Sequence, residues 1–383
     1  MSVLIVFQDM GGREEGFSFS QTLPGIYHLA AETGPQVQIP VGMPETTPTM
    51  MGMLASMLFS GEHSGPCWDR GWPQGYLAAL GGGLDPDPSL TWASLALTHL
   101  RQNRDQLVFI NEREPWAASV HVTELIEVLR SPLAELKWRV HGPVDGQVLL
   151  SSPLDCRVDV APLENIHGQS MQNVLPRGEG AGRLLELLTT GQLVLARTEA
   201  NRRRVDQGLM PMNTPWIHGV GRGNDFFCHD LQNKVRGAYW CEDSTSSGLA
   251  RQAGWTKLEP EAKTDARFAG GCDELESLAN RVAQAALRGP VLVQFSITTP
   301  LRLEQIGREF VRPLVEFLAA ANQGLLVWAR EAMGRHSPET VTGIHWGFGR
   351  GRKLLAKPRF WRRQTWGMGE SLTMDKSRKL WLS

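Results

Sequence analysis

Short apolar blocks alternate along the chain with longer stretches in which apolar positions recur every three or four residues. Residues 3–7, 107–111, 193–196, 237–241, 291–295 and 325–329 are blocks of the first kind, rich in Val, Ile, Leu, Trp and Phe. Such runs predict strands buried on both faces. Residues 45–59, 75–80, 89–101, 119–130, 179–189, 199–207, 244–253, 273–287 and 303–321 read as helices. In the first of these, Met50, Met51, Leu54, Met57 and Leu58 share a face, and Thr46 or Thr47 stands where a cap belongs. Residues 137–141 and 147–150 read as the two arms of a hairpin. Strands alternating with helices predict an α/β fold, with a mostly parallel sheet sandwiched by helices. The middle section changes character, so 112–175 is expected to form a smaller inserted α+β domain between the core segments 1–111 and 176–383.

The first strand has a chemical consequence. Its apolar run stops at Gln8-Asp9, and Gly11-Gly12 then allow a sharp turn. Asp9 therefore belongs at the carboxyl end of a strand. In open α/β sheets that is where ligands and metals sit.

Composition narrows the class. The 383 residues are 42% hydrophobic and 21% charged, which fits a folded chain with a sizeable core. Net charge is only -1, but it is unevenly spread. Residues 347–383 carry ten Lys and Arg against Glu370 and Asp375. A basic, Trp-rich tail of this kind can face a polyanion or a protein partner. Arg359, Arg362 and Arg363 lie among Trp361 and Trp366, a mixture that serves single-strand binding elsewhere. The five cysteines are scattered and never in a CxxC spacing, which argues for a reducing compartment and against a zinc ribbon. No run approaches the roughly 18 apolar residues of a membrane span, and the first residues lack the basic and apolar regions of a signal peptide. A cytoplasmic protein with no membrane contact is expected. No Walker loop, HExxH or Gly-x-Ser-x-Gly elbow is present.

The most specific segment is 201–222, NRRRVDQGLMPMNTPWIHGVGR. Its Asn201, Arg204, Gly208, Leu209, Pro211, Asn213, Gly219 and Gly221 resemble a segment of the archaeal-type, cofactor-independent phosphoglycerate mutases, members of the alkaline phosphatase superfamily. Other stretches follow in the same order. VLIVFQDMGG is similar to the family's first strand and its Asp-Gly turn, and Pro44-Glu45-Thr46-Thr47 to its Pro-Gly-Ser-Asp. Arg70-Gly71 followed by LAALGGGL resembles its Arg-Gly, helix and Gly-x-Gly-Leu stretch. Gly334-Arg335-His336-Ser337 resembles a late Gly-Arg-His-Ser, and residues 360–382 its closing segment.

The resemblance implies an alkaline-phosphatase-like core and phosphoryl transfer through a Ser or Thr hydroxyl. Two divalent metals clamp the phosphoryl oxygens in such chemistry. Carried over by position, Asp9 and His336 are metal ligands and Thr46 is the nucleophile at a helix N-terminus. Asn201, Arg204 and Asn213 are substrate-binding. His167, in a stretch that faintly resembles a family Asp-Pro-His, joins them; His141, Asp155, Asp159 and Glu164 lie in the same section. The family's remaining equipment is missing. Thr47 stands where an Asp follows the nucleophile, and Ser296-Ile297-Thr298-Thr299-Pro300 follows a strand that should end in an Asp. Arg330-Glu331 replaces an Asp-His pair. A guanidinium repels a metal and can supply its charge, which makes Arg330 a candidate catalytic group. With Asp9 and His336, Glu331 makes three metal candidates at most. The expected cofactor is none, or a single divalent ion (manganese, zinc or magnesium) at a residual site.

The leading expectation is a diverged phosphoglycerate-mutase-like protein, isomerase-type in descent. Its dinuclear site has decayed, and it binds a small phosphorylated or anionic molecule without turnover. The rivals are an active phosphomutase or phosphatase with a one-metal or metal-free site, and a scaffold that binds a protein through the basic, Trp-rich C-terminus. Nucleic acid is the less expected partner.

Overall fold

A computed structural model describes residues 3–10, 38–41, 73–110, 120–144, 146–226, 236–258, 272–297, 300–321, 325–331 and 340–346. In chain order the strands and helices are β1 (Val3–Met10), β2 (Gln38–Val41), α1 (Gln74–Gly81), β3 (Thr91–Asn103), β4 (Gln106–Ile110), α2 (Val120–Glu135), β5 (Arg139–Val144) and β6 (Gln147–Ser152). Then come β7 (Val158–Asp159), α3 (Leu163–Ile166), α4 (Met171–Val174), β8 (Arg177–Gly178), α5 (Ala181–Leu195), α6 (Glu199–Asp206), β9 (Thr214–Arg222) and α7 (Gly223–Phe226). The last group is β10 (Ala238–Cys241), α8 (Ser244–Gln252), β11 (Thr256–Lys257), α9 (Cys272–Ala286), β12 (Val291–Ser296), α10 (Pro300–Ile306), α11 (Arg312–Ala320), β13 (Leu325–Glu331) and β14 (Thr340–Trp346). A π-helical turn, Gly307–Val311, joins α10 to α11. Two compact units result, 1–61 with 232–383, and 62–231.

The first unit holds a seven-stranded sheet in the order β11-β10-β12-β1-β13-β14-β2. The first five strands run parallel; β14 runs antiparallel to its neighbours β13 and β2, so β2 points the same way as the first five. Val3, Ile5, Val291, Leu292 and Val293 are all fully buried. Successive residues of β12 thus lose water on both faces, which is why its sequence runs apolar instead of alternating. The apolar positions of α9 (Leu275, Leu278, Ala279, Val282, Ala283 and Ala286) recur at helical spacing. They pack with Val3, Ile5, Val291, Val293 and Phe295 into one core. Leu314, Val315 and Leu318 of α11 join that core. The single helix expected over 303–321 is interrupted by the π-helical turn, where Glu309, Phe310 and Val311 are all buried. This is the α/β core, a mostly parallel sheet with helices packed on it.

The second unit is built on β3. This strand pairs with β4, with β6 and with β9, all antiparallel. Helices α2 and α5 lay Leu125, Leu129, Leu184 and Leu187 on its Leu95 and Leu97, together with Val148, Leu150 and Ile217. The helix expected over 89–101 is therefore this strand. Its Ala and Leu content favours a helix, but eight consecutive residues from Thr91 are buried between neighbouring strands and packed layers. Pairing overrides propensity there. The strand expected over 193–196 falls largely in the last turn of α5, where Leu184, Leu188, Gly191 and Leu195 continue one buried helical stripe. Because β3 pairs with strands that lie both within and beyond 112–175, the unit extends past that segment on each side.

The end of α2 shows how tightly this core is specified. Trp138 N–H donates to Leu133 C=O at 2.8 Å, and Lys137 N–H to Ala134 C=O at 3.0 Å. That is a Schellman ending, with buried Trp138 against buried Leu133. Its left-handed position, at φ 66°, holds Lys137 instead of glycine. A side chain there carries a steric cost. Replacing Lys137→Gly is expected to raise the stability of this unit by about 1 kcal/mol, read as a shift in the urea midpoint. A lower midpoint would contradict it.

Candidate functional site

The carboxyl ends of β10, β12, β1 and β13 lie side by side, in the position where an α/β sheet offers its chemistry. Pairing registers set the arrangement. Gln8 stands opposite Ser296 of β12. On the other side Phe7 pairs with Ala329 and Met10 with Glu331, with an irregularity between them. One extra residue of β1 is thereby accommodated, so Gln8 and Asp9 together lie across from Arg330. The backbone thus places Asp9, Arg330 and Glu331 along one edge of the sheet.

Polar side chains knit the end of β10 to that of β12. Gln294 is fully buried in β12. Its Oε1 accepts from Glu242 N–H at 3.0 Å and from Asp243 N–H at 3.1 Å, and its Nε2 donates to Ser296 Oγ at 3.2 Å. Glu242 returns the contact, accepting from Ser296 N–H at 2.7 Å through its second carboxylate oxygen. The first oxygen accepts from Arg302 of α10 in an ion pair. Glu242 is 14% exposed and Arg302 33%. Burial pushes the Glu242 carboxyl above its usual range, against the opposing pull of the Ser296 N–H and of Arg302. Asp243 caps α8, accepting from Ser246 N–H at 2.7 Å.

This donor set does not fit a dinuclear metal centre. The carboxylate of Glu242 already holds a guanidinium and a backbone N–H. That of Asp243 is turned to its own helix. Among the described residues no three His, Cys, Asp or Glu side chains stand close enough together to hold a metal ion. Asp9, Arg330 and Glu331 are described here by backbone alone. Thr46, His336, Thr298, Thr299 and the basic tail lie outside the described residues.

The remaining candidates belong to 62–231, and the structure gives each a local partner. Asn201 Nδ2 donates to Leu195 C=O at 2.9 Å and Met212 C=O at 3.0 Å, and its Oδ1 accepts from Met212 N–H at 2.8 Å. Arg204, 1% exposed, donates through Nε to Met210 C=O at 2.9 Å. Asn213 pairs with both backbone groups of Leu100, at 2.7 and 2.9 Å. These three residues fasten the loop 207–213 to α6 and β3, and that alone accounts for their burial. His167 sits at the end of α3, half-buried and with a partner of its own. His141 stacks on Trp92, with ring centroids 4.7 Å apart, and its Nε2 is 2.8 Å from Ser151 Oγ. Burial first, and Arg139 second, lower its pKa.

Glu242, Arg302, Gln294 and His218 were not foreseen as site or pH-sensitive residues. Glu242-Asp243 closes the apolar run 237–241 just as Gln8-Asp9 closes 3–7, so the signal that marked Asp9 was present there too. The partnership with Arg302, 60 positions away, has no local signature.

No family model matches the chain. It is 32% identical over 127 residues to a probable 2,3-bisphosphoglycerate-independent phosphoglycerate mutase of Geobacter sulfurreducens, covering 33% of this chain and 32% of that one. It is 30% identical over 150 residues to the 2,3-bisphosphoglycerate-independent phosphoglycerate mutase of Methanothrix thermoacetophila, covering 38% and 36%. The chain is a diverged relative of the cofactor-independent phosphoglycerate mutases. The similarity spans about a third of the length of these mutases. The fold extends further: the PH0037 protein from Pyrococcus horikoshii superposes with a TM-score of 0.52 at 17% identity, over 90% of this chain and 87% of that one. No helix among the described residues is long and apolar enough to cross a membrane.

Two predictions follow from buried ionisable groups of this mutase relative. Arg302→Met leaves the Glu242 carboxylate buried without its counter-ion and is expected to cost about 2 kcal/mol, less than for a fully buried pair because Arg302 is partly exposed. Adding Glu242→Gln should recover more than half of that loss in a urea titration. An Arg302→Met protein as stable as its parent would show that the pair contributes nothing.

The second concerns half-buried His218 of β9. Its Nδ1 is shielded from water and has no hydrogen-bond partner among the described residues. Burial pushes the ring down to about 4. The unfolded chain binds the proton first as pH falls below about 6.5. Stability contributed by neutral His218 is therefore complete above that value. It is lost progressively down to about pH 4, by about 3 kcal/mol in total. Stability measured against pH should lose this part of its slope in His218→Gln, and an unchanged slope would refute the assignment.

Proposed function

We propose that the chain is a phosphoglycerate-mutase-like pseudoenzyme, one that binds a phosphoester or similar small anion at its strand ends without dinuclear-metal phosphoryl transfer. The observation that carries this reading is the Glu242–Arg302 pair. At the end of β10, beside the end of β12, the available carboxylate is closed by a fixed guanidinium and by Ser296 N–H. The sequence adds a second cation, Arg330, opposite Gln8 and Asp9 in the sheet. With Arg302 neutralised by Glu242, it is the charge of Arg330 that would attract an anion to the strand ends and oppose a divalent ion. Thr46, Arg330 and His336 would contribute to such a cleft. Asp9, Glu331 and His336 remain as ligands for one divalent ion at most. Similarity to the 2,3-bisphosphoglycerate-independent phosphoglycerate mutases supports a phosphorylated ligand.

The direct test is an assay of the purified chain with 3-phosphoglycerate and with a simple phosphate monoester, supplied in turn with manganese, zinc and magnesium. The expected result is no mutase or phosphatase turnover above background with any of the three. Turnover that Thr46→Ala abolishes would overturn the reading in favour of an active enzyme with an altered site.

A further inference from the structure

Three arginines of the unit 62–231 converge on one acid. The loop after β6 carries Asp155, Cys156 and Arg157; Arg183 lies in the first turn of α5; Arg222 ends β9. Arg157 Nε is 3.4 Å and Arg222 Nη1 3.6 Å from the same oxygen, Asp155 Oδ2. Arg183 Nη1 donates to Asp155 C=O at 3.2 Å. Arg222 is anchored from behind, since its Nε donates to Thr91 Oγ1 at 3.3 Å. That fully buried hydroxyl in turn donates to Leu154 C=O at 2.7 Å. Gly180 completes the arrangement. A Cβ there would come within 2.8 Å of Cys156 Cα, so only glycine lets the start of α5 lie against this loop. The cap offers no side-chain acceptor to the helix.

Charge and geometry do not balance. Two guanidiniums, those of Arg157 and Arg222, face the one carboxylate, and Arg183 stands beside it on the Asp155 C=O and the Cys156 thiol; no other acid among the described residues forms an ion pair with any of the three. The two side-chain contacts to Asp155 are longer than the roughly 2.7–2.9 Å of a charge-assisted hydrogen bond. Asp155 gathers the arginines but leaves the outer N–H groups of Arg157 and Arg222 turned to solvent, where a ligand can reach them. Arginine forks match phosphate oxygens, and a dianion cancels the surplus charge that a single carboxylate leaves.

We propose that Arg157, Arg183 and Arg222 form a binding site for a small phosphate-bearing dianion, with Asp155 as its built-in competitor. The site lies wholly within 62–231. It extends the anion-binding part of the proposed function to a separate set of residues, and it can fail or hold without it.

Titration calorimetry of the full chain with inorganic phosphate, at low salt and in a chelator, tests the site where turnover plays no part. The wild type should bind phosphate saturably at one site. Arg222→Gln and Arg183→Gln should each weaken that binding by about tenfold. Asp155→Asn should tighten it by about threefold or more, because it removes the competing charge while keeping the side-chain shape. A purely structural cluster would lose order in Asp155→Asn and gain no affinity. Absence of saturable binding to the wild type overturns the proposal. So does unchanged affinity in well-folded arginine variants, or weaker binding in Asp155→Asn.

Discussion

A buried amide and a buried carboxylate bind the carboxyl ends of two parallel strands together. Parallel strands leave their ends as the sheet's chemical edge, and that edge needs partners for its last backbone groups. Here Gln294 receives the N–H groups of Glu242 and Asp243, and Glu242 receives that of Ser296. The exchange is reciprocal, so neither strand can shift alone without leaving polar groups unpaired in a desolvated place. Helix α8 begins directly after this knot, with Asp243 as its cap. The helix direction, and the burial of Ser244 to Ser247 that follows, inherit the geometry of the strand ends.

The same knot constrains chemistry. Glu242 is a carboxylate in a site that disfavours its charge, and burial is the largest influence on its titration. Arg302 offsets that penalty, and a buried pair of this kind is costly to break. An ion entering the edge would have to displace a tethered guanidinium that bears its own positive charge. A site for a divalent ion needs several unpaired acids. This edge instead spends its best-placed acid on internal order.

How much of this the sequence disclosed depends on the range of the interaction. The strands β1, β12 and β13 were legible because burial on both faces leaves an apolar run that needs no partner to be seen. Asp9 and Arg330–Glu331 were legible for the same reason, since an apolar run fixes where its own end lies. Strand β3 was not, because full burial of a stretch rich in Ala and Leu looks the same from within whether it is coiled or extended. Strand β9 was hidden by its opening Thr214-Pro215 and by Gly219 and Gly221, which read as a loop. There Gly219, at φ 60°, and Gly221 let Gln74 and Pro73 approach the strand closely. The Glu242–Arg302 pair was hidden by distance along the chain.

The segment 201–222 shows why a family pattern and a functional pattern must be separated. Asn201, Arg204 and Asn213 match residues of the mutases in order and spacing, which is what relationship predicts. In this structure each also has backbone partners, on α5, on β3 and in the loop between α6 and β9. A side chain that ties the fold together in this way has a structural reason to be there, and its position in the pattern does not by itself mark a ligand. The arginines around Asp155 are the opposite case. They match none of the mutase-like positions, yet the outer N–H groups of Arg157 and Arg222 face solvent beyond what Asp155 takes up. Surplus donors, not conserved-looking spacing, are the physical mark of a place that can receive something from outside.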